Sequence, residues 1–197
     1  MSTSRGVLSK VKAQDNIHTD YRLSATVSLA ALLNGKRSDR QFRRLVRNLL
    51  TVARRVEIAR DYFGRGLNVT GPQYNLLMTV AELQGVAGVS VSSVARAMHV
   101  SSSFVTAETG KLLDVGLLRK QPNPADRRGA LLELSPLGRA KIRRLLTEIR
   151  AVNDLFFGLL TAESFAALCA GAEALVEGSR EAMQYIARMA EREENTL

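Results

Sequence analysis

The chain has 197 residues, 46% of them apolar, enough for one domain or two small ones. Its 28 Lys and Arg against 19 Asp and Glu give a net charge of +9, which favours nucleic acid or another anionic surface as partner. A single cysteine, Cys169, excludes an internal disulfide, and with only His18 and His99 beside it no metal-ligand cluster is visible. No stretch has the length of a membrane span or a signal-peptide core, so the expectation is a cytoplasmic protein with no membrane contact and no cofactor.

The charge is uneven. Residues 1–60 hold thirteen Lys and Arg against four Asp and Glu, whereas residues 161–197 hold seven Glu against three Arg. Ends of opposite sign suit pairing, within a chain or between chains. Residues 1–37 form a weakly patterned extension in which residues 23–33 read as a short helix ending near Asn34-Gly35. Lys10, Lys12 and Arg22 suit a basic arm on DNA, while Leu29, Leu32 and Leu33 suit packing. The expectation is packing over 20–34 and mobility in the first several residues.

Ser38-Asp-Arg-Gln41 reads as a capping box opening a helix. Apolar residues from Phe42 to Phe63 recur there at helical spacing, and Gly64 and Gly66 are expected to stop it. Thr70-Gly-Pro-Gln73 is a second capping box, with Val69 and Tyr74 placed as a hydrophobic staple. Its helix runs through Leu76, Leu77, Val80 and Leu83 to Gly85. Ser90 caps a third helix with Val91, Val94, Ala95 and Met98 inward, and a serine-rich start opens a fourth over 101–114, closed by Gly116.

Residues 117–134 place two short apolar runs around a Pro-, Asn- and Gly-rich turn that carries Asp126-Arg127-Arg128, the pattern of a hairpin. Ser135-Pro136 then starts a long helix, with serine as N-cap and proline where its missing N–H costs nothing. Thr161 caps a last helix continuing to about residue 192, with Cys169 on its apolar side as a small core residue.

The fold class is therefore mainly α with a small β-hairpin wing. Residues 67–136 read as a winged helix-turn-helix lobe, and residues 38–66 and 137–192 as long N- and C-terminal dimerisation helices. Those helices are apolar on more than one face, which a second copy of the chain would cover. A two-fold dimer would also set two reading heads one DNA turn apart. No nucleophile–base constellation or phosphate-binding glycine loop points to an enzyme.

In that setting Ser101, Ser102 and Ser103 suit capping or phosphate, with Ser101 the cap and Ser103 facing DNA. Thr106 suits a base edge or thymine methyl, and Lys111 a phosphate. Phe104 stays open between core and thymine contact. Asp126 would shape the wing, while Arg127 and Arg128 suit the minor groove, one of them bound instead to Asp126 or phosphate. Arg43, Arg44, Arg47, Arg54 and Arg55 form either a solvated basic face, paired with the acidic last helix, or a cationic wall for an anionic effector.

Over residues 38–192 the chain resembles the MarR (multiple antibiotic resistance regulator) family. The resemblance is carried by Thr70-x-x-Gln73-Tyr74-x-Leu76-Leu77, Val94-Ala95-x-x-Met98-x-Val100-Ser101, Val105-Thr106 and Leu112-x-x-x-Gly116-Leu117-Leu118-Arg119. It continues in Pro124-x-Asp126-Arg127-Arg128 and Leu132-x-Leu134-Ser135-x-x-Gly138, where Ser135 stands for the usual threonine and keeps the cap. The resemblance implies a homodimer on a palindromic double-stranded DNA operator whose binding a small ligand, often an aromatic or phenolic acid, changes. The expected function is a repressor released by such an effector, an aromatic acid or its coenzyme A thioester, for which the arginine wall would fit. Regulation as an activator, redox sensing through Cys169 and a winged-helix protein-interaction module are the alternatives. Family pockets between the dimerisation helices and the lobe imply Tyr62, Phe63, Tyr74 and Met78 as lining, with Arg47 and Arg54 facing the anion.

Overall fold

The structure, a computed structural model, describes residues 23–34, 37–123 and 126–194, with the side chains of 126–128 outside that description. Among the described residues there are six α-helices and a three-stranded antiparallel sheet, the mainly helical winged fold expected from the sequence. The chain divides into two compact units, Met1–Val52 and Ala53–Leu197.

In the first unit the expected helix over 23–33 is not formed. Only a 3-10 turn, Ala30–Leu32, appears. The reason lies in Thr26, whose N–H and hydroxyl both donate to Asp39 Oδ2 at 2.7 Å and tie this segment to the start of the next helix as irregular chain with a bend at Thr26. Asp39 is 2% exposed, and Arg43 Nη1 lies 3.0 Å from its Oδ1. Helix α1 (Arg40–Leu67) consequently begins two residues after Ser38, whose hydroxyl accepts from Arg40 N at 3.3 Å.

The two Thr26 hydrogen bonds, helped by Arg43, hold the Asp39 carboxyl below its ordinary value of 3.8. A lowered folded value adds stability that is complete above the unfolded value and lost as pH falls through the folded one. Asp39→Asn is expected to remove this acid sensitivity, seen as a Thr26 amide whose hydrogen-exchange protection no longer depends on pH below about 4.

In the second unit α1 continues through both glycines expected to end it. Gly64 is needed there for close approach, since a Cβ would lie 2.7 Å from the Val69 carbonyl oxygen. The stop is Asn68, in the left-handed region at φ 62°, with Val69 N donating to Gly64 O and Asn68 N to Arg65 O. Helix α2 (Gly71–Leu83) follows with its capping box complete: Gln73 N donates to Thr70 Oγ1, and Thr70 N to Gln73 Oε1.

Strand β1 (Val89–Ser90) leads into α3 (Val91–Met98), capped by Ser90 as expected. Helix α4 (Ser102–Asp114) is capped by Ser101, and Gly116 at φ 72° makes the exit turn. Strands β2 (Leu118–Asn123) and β3 (Asp126–Leu134) pair from Leu118 opposite Leu134 outward to the turn. β1 adds to the free edge of β3, with Val89 opposite Leu132. Apolar side chains from α2, α3, α4 and the sheet form the core, with Leu76, Leu77, Val94, Val105, Leu112, Leu117 and Leu132 fully buried.

Ser135 caps α5 (Pro136–Phe157) through a bond from Gly138 N at 2.9 Å, and Thr161 caps α6 (Ala162–Glu194) through Ser164 N. Every described residue of α6 is exposed, Cys169 included. The expectation of Cys169 as a core residue is thus corrected. Its helix keeps an apolar side, and among the described residues no element covers it.

Candidate nucleic-acid interface

Helix α4 buries Val105, Thr109 and Leu112 and turns the other face outward. Ser101, Ser102, Ser103, Thr106 and Lys111 are all exposed. The Ser101 hydroxyl accepts from Phe104 N at 3.2 Å and lies 2.9 Å from the Ser103 hydroxyl, so these two serines form one polar group at the helix start. Thr106 donates its hydroxyl to the Ser102 carbonyl at 2.9 Å, which fixes its rotamer. Phe104 packs partly buried against the core and also borders a surface cleft with Met98 and Val100.

A polar clasp ties α4 to α2. Gln73, the capping-box glutamine, donates from Nε2 to Glu108 Oε2 at 2.9 Å, and Lys111 Nζ lies 2.9 Å from Glu108 Oε1. The bonds from Lys111 and then Gln73 hold the Glu108 carboxyl below its ordinary value. Sequence reasoning found Gln73 as a cap and missed this second use, because nothing in the spacing of 73 and 108 reports their proximity. Gln73→Ala is expected to lower stability by about 1–2 kcal/mol, since a cap is lost and a part-buried carboxylate loses a donor. Thermal melts would show it, and an unchanged midpoint would remove the clasp from the account.

The wing stands beside α4. Arg119 Nε pairs with Glu133 Oε1 across β2 and β3 at 2.8 Å, and Gln121 Nε2 donates to the Ala87 carbonyl at 2.6 Å. The turn residues Asp126, Arg127 and Arg128 have side chains outside the described structure.

Of the residues expected around an effector, Phe63, Tyr74 and Met78 line one cavity of about 280 Å3. Arg60, Asn75 and Phe156 complete the part that matters here. Phe63 and Tyr74 rings pack at 5.6 Å, and burial pushes the Tyr74 phenol above its ordinary value against the opposing charge of Arg60. Arg54 is not in this lining, and Tyr62 lines a different cavity. Positions 56, 59, 60 and 63 share one helical face of α1, and 54 lies on the far side of the helix from 56. The cation of this cavity is therefore Arg60, missed because seven other arginines on the helix compete for the role. Arg47 lies in the first unit, exposed beside Arg40 and Arg44.

Among the described residues no group of His, Cys, Asp and Glu is arranged to hold a metal, and no single helix is long and apolar enough to cross a membrane.

Helices α2, α3 and α4 with the three-stranded sheet define a winged helix-turn-helix protein. A model of the MarR family matches residues 67–129. The sequence matches no curated protein. Among solved structures the fold is similar to AbsC, a MarR family transcriptional regulator from Streptomyces coelicolor, with 22% identity, a TM-score of 0.62, and coverage of 71% of this chain and 94% of that one. It is similar also to a mutant MarR from E. coli complexed with operator DNA, with 20% identity, a TM-score of 0.57, and coverage of 68% and 95%. PcaV from Streptomyces coelicolor, in complex with its natural ligand, shares 25% identity, a TM-score of 0.51, and coverage of 64% and 90%.

Proposed function

We propose that the protein is a ligand-responsive transcriptional regulator, a homodimeric repressor that binds a palindromic operator and is released by a small aromatic or anionic effector. The observation that carries this reading is the serine-capped α4, which shows Ser102, Ser103, Thr106 and Lys111 to solvent beside a wing with two arginines at its turn. A helix N-terminus with free N–H groups meets phosphate, and the outward side chains read base edges. The relative solved with operator DNA supports the same use of the fold.

Dimerisation is supported by the outer helices. Leu45, Leu49 and Leu50 on α1 and Leu168, Leu175 and Ile186 on α6 are all exposed. Apolar surface of that extent on long helices is what a second copy buries. The effector reading rests on the cavity of Phe63, Tyr74 and Met78 with Arg60 in its wall. An aromatic body against those rings and a carboxylate on the guanidinium match it.

The test is an electrophoretic shift on duplex DNA from upstream of the gene itself. Binding is expected to weaken steeply with salt as counterions are released, and benzoate-type acids are expected to release the DNA. Arg60→Gln should blunt that release and leave DNA affinity alone. Cys169→Ser should leave it intact, which separates an effector from a thiol switch. A protein that shifts no duplex at low salt would instead be a protein-interaction module.

A further inference from the structure

A second cavity, of about 490 Å3, lies between the end of α1 and the first half of α5. Its walls follow helical spacing: positions 62, 65 and 66 share one face of α1, and positions 141, 144, 145 and 148 share one face of α5. Arg65, Lys141 and Arg144 supply three cations, against the single carboxylate of Glu148. Among the described residues none of these three cations lies within ion-pair distance of a carboxylate. Glu148 is held by the Tyr62 hydroxyl, which donates to its Oε2 at 3.2 Å. Leu67, 2% exposed, and Leu145, packed on the core, give the same cavity an apolar floor.

Gly66 adds an independent observation. Glycine inside a helix is unfavourable and needs a reason. Gly64 has one, the close approach of the Val69 carbonyl. Gly66 has no positive φ, and a Cβ there would meet only Leu145 Cδ1, at an ordinary 3.6 Å. Neither backbone nor packing demands glycine at 66. What a side chain there would take away is the open volume above it.

We propose that this cavity is a second binding site, separate from that of Phe63 and Tyr74, for an organic anion with an apolar body. Unneutralised guanidinium and ammonium groups over a leucine floor suit a carboxylate, sulfonate or phosphate monoester carried on a hydrocarbon or ring. A bare phosphate would leave the floor unused. The cavity is also within the size range of small-molecule sites.

Octanoate and its neutral counterpart octanamide are the probes, titrated into the full chain by calorimetry. Octanoate is expected to bind saturably and octanamide at least about tenfold more weakly, the loss that follows from removing a charge-assisted hydrogen bond. Lys141→Gln with Arg144→Gln should weaken octanoate by a similar factor. Glu148→Gln should strengthen it, since the amide oxygen still accepts from Tyr62 while the opposing charge is gone. Gly66→Leu should abolish binding without lowering Tm or changing oligomeric state, which keeps the test free of misfolding. Equal binding of octanamide, or unchanged affinity in the Lys141/Arg144 or Gly66 variants, would overturn the proposal. So would loss of octanoate binding on Arg60→Gln alone, because the ligand would then sit in the other cavity. No octanoate binding to the unaltered chain, together with a changed oligomeric state in Gly66→Leu, would assign the cavity to a second copy and equally overturn it.

Discussion

Gly138→Ala is expected to destabilise the fold by about 3 kcal/mol, at the upper end of what overpacking costs in a close-packed interior. Gly138 sits in the first turn of α5, and a Cβ there would run into the Leu117 carbonyl oxygen. That oxygen cannot move aside, because it accepts from Ser135 N at 3.0 Å. Ser135 in turn donates its hydroxyl to the Gly116 carbonyl at 2.6 Å and accepts from Gly138 N at 2.9 Å. The exit of α4, the start of β2 and the cap of α5 are thus one knot, with Leu117 fully buried at its centre.

For a chain of this size the loss corresponds to a fall in Tm of roughly 6–12 °C, at 2–4 °C per kcal/mol. The same substitution at Gly110, in mid-α4 with nothing within 4 Å of a Cβ, should instead raise stability by about 0.5–1 kcal/mol through helix propensity. Chemical denaturation of the two variants decides the matter. If both move in the same direction, the contact is not what makes Gly138 necessary.

This knot shows how far the sequence could be read. Ser135-Pro136 announces a capped helix, and Gly116 a helix exit, because each signal is local. That the two meet depends on a hairpin of eighteen residues closing between them, and no local spacing reports it. The capping box Thr70/Gln73 was legible for the same local reason, whereas the bond from Gln73 to Glu108 was not. Strand β1 escaped notice because two residues carry no alternation, and only the edge of β3 makes them a strand. The glycines of α1 misled in the opposite direction: Gly64 is there for contact with the next turn, and Asn68 ends the helix.

The residues proposed for an effector divide along the same line. Phe63, Tyr74 and Met78 converge because they are apolar and the core gathers apolar groups. Which arginine stands beside them is a matter of helical phase, set by the way α1 packs, and that selects Arg60 over Arg54. Cys169 reads as core from its alanine-rich neighbours, yet it is exposed among the described residues. The apolar side of α6 suits the proposed second copy, and a single sequence does not distinguish a pattern for a partner from one for its own interior.

The largest expected functional effect lies at the wing. Changing Arg127 and Arg128 together to alanine should weaken operator binding roughly 10- to 100-fold, as expected for two cationic contacts at about 1 kcal/mol or more each. The diagnostic is the salt dependence rather than the loss itself. Each phosphate neutralised contributes about 0.9 to the slope of log affinity against log salt, so the double variant should be shallower by roughly 2. Thr106→Ala should behave differently. Its side chain carries no charge, so its slope should match the unaltered protein while discrimination relaxes at one base position by about 1 kcal/mol. Lys111→Ala falls between these, because Glu108 already neutralises that ammonium at 2.9 Å and DNA must compete for it. Titrations at four salt concentrations on one palindromic duplex separate the three cases. A double variant with unchanged affinity and unchanged slope would take the wing out of the interface and leave α4 to bind alone.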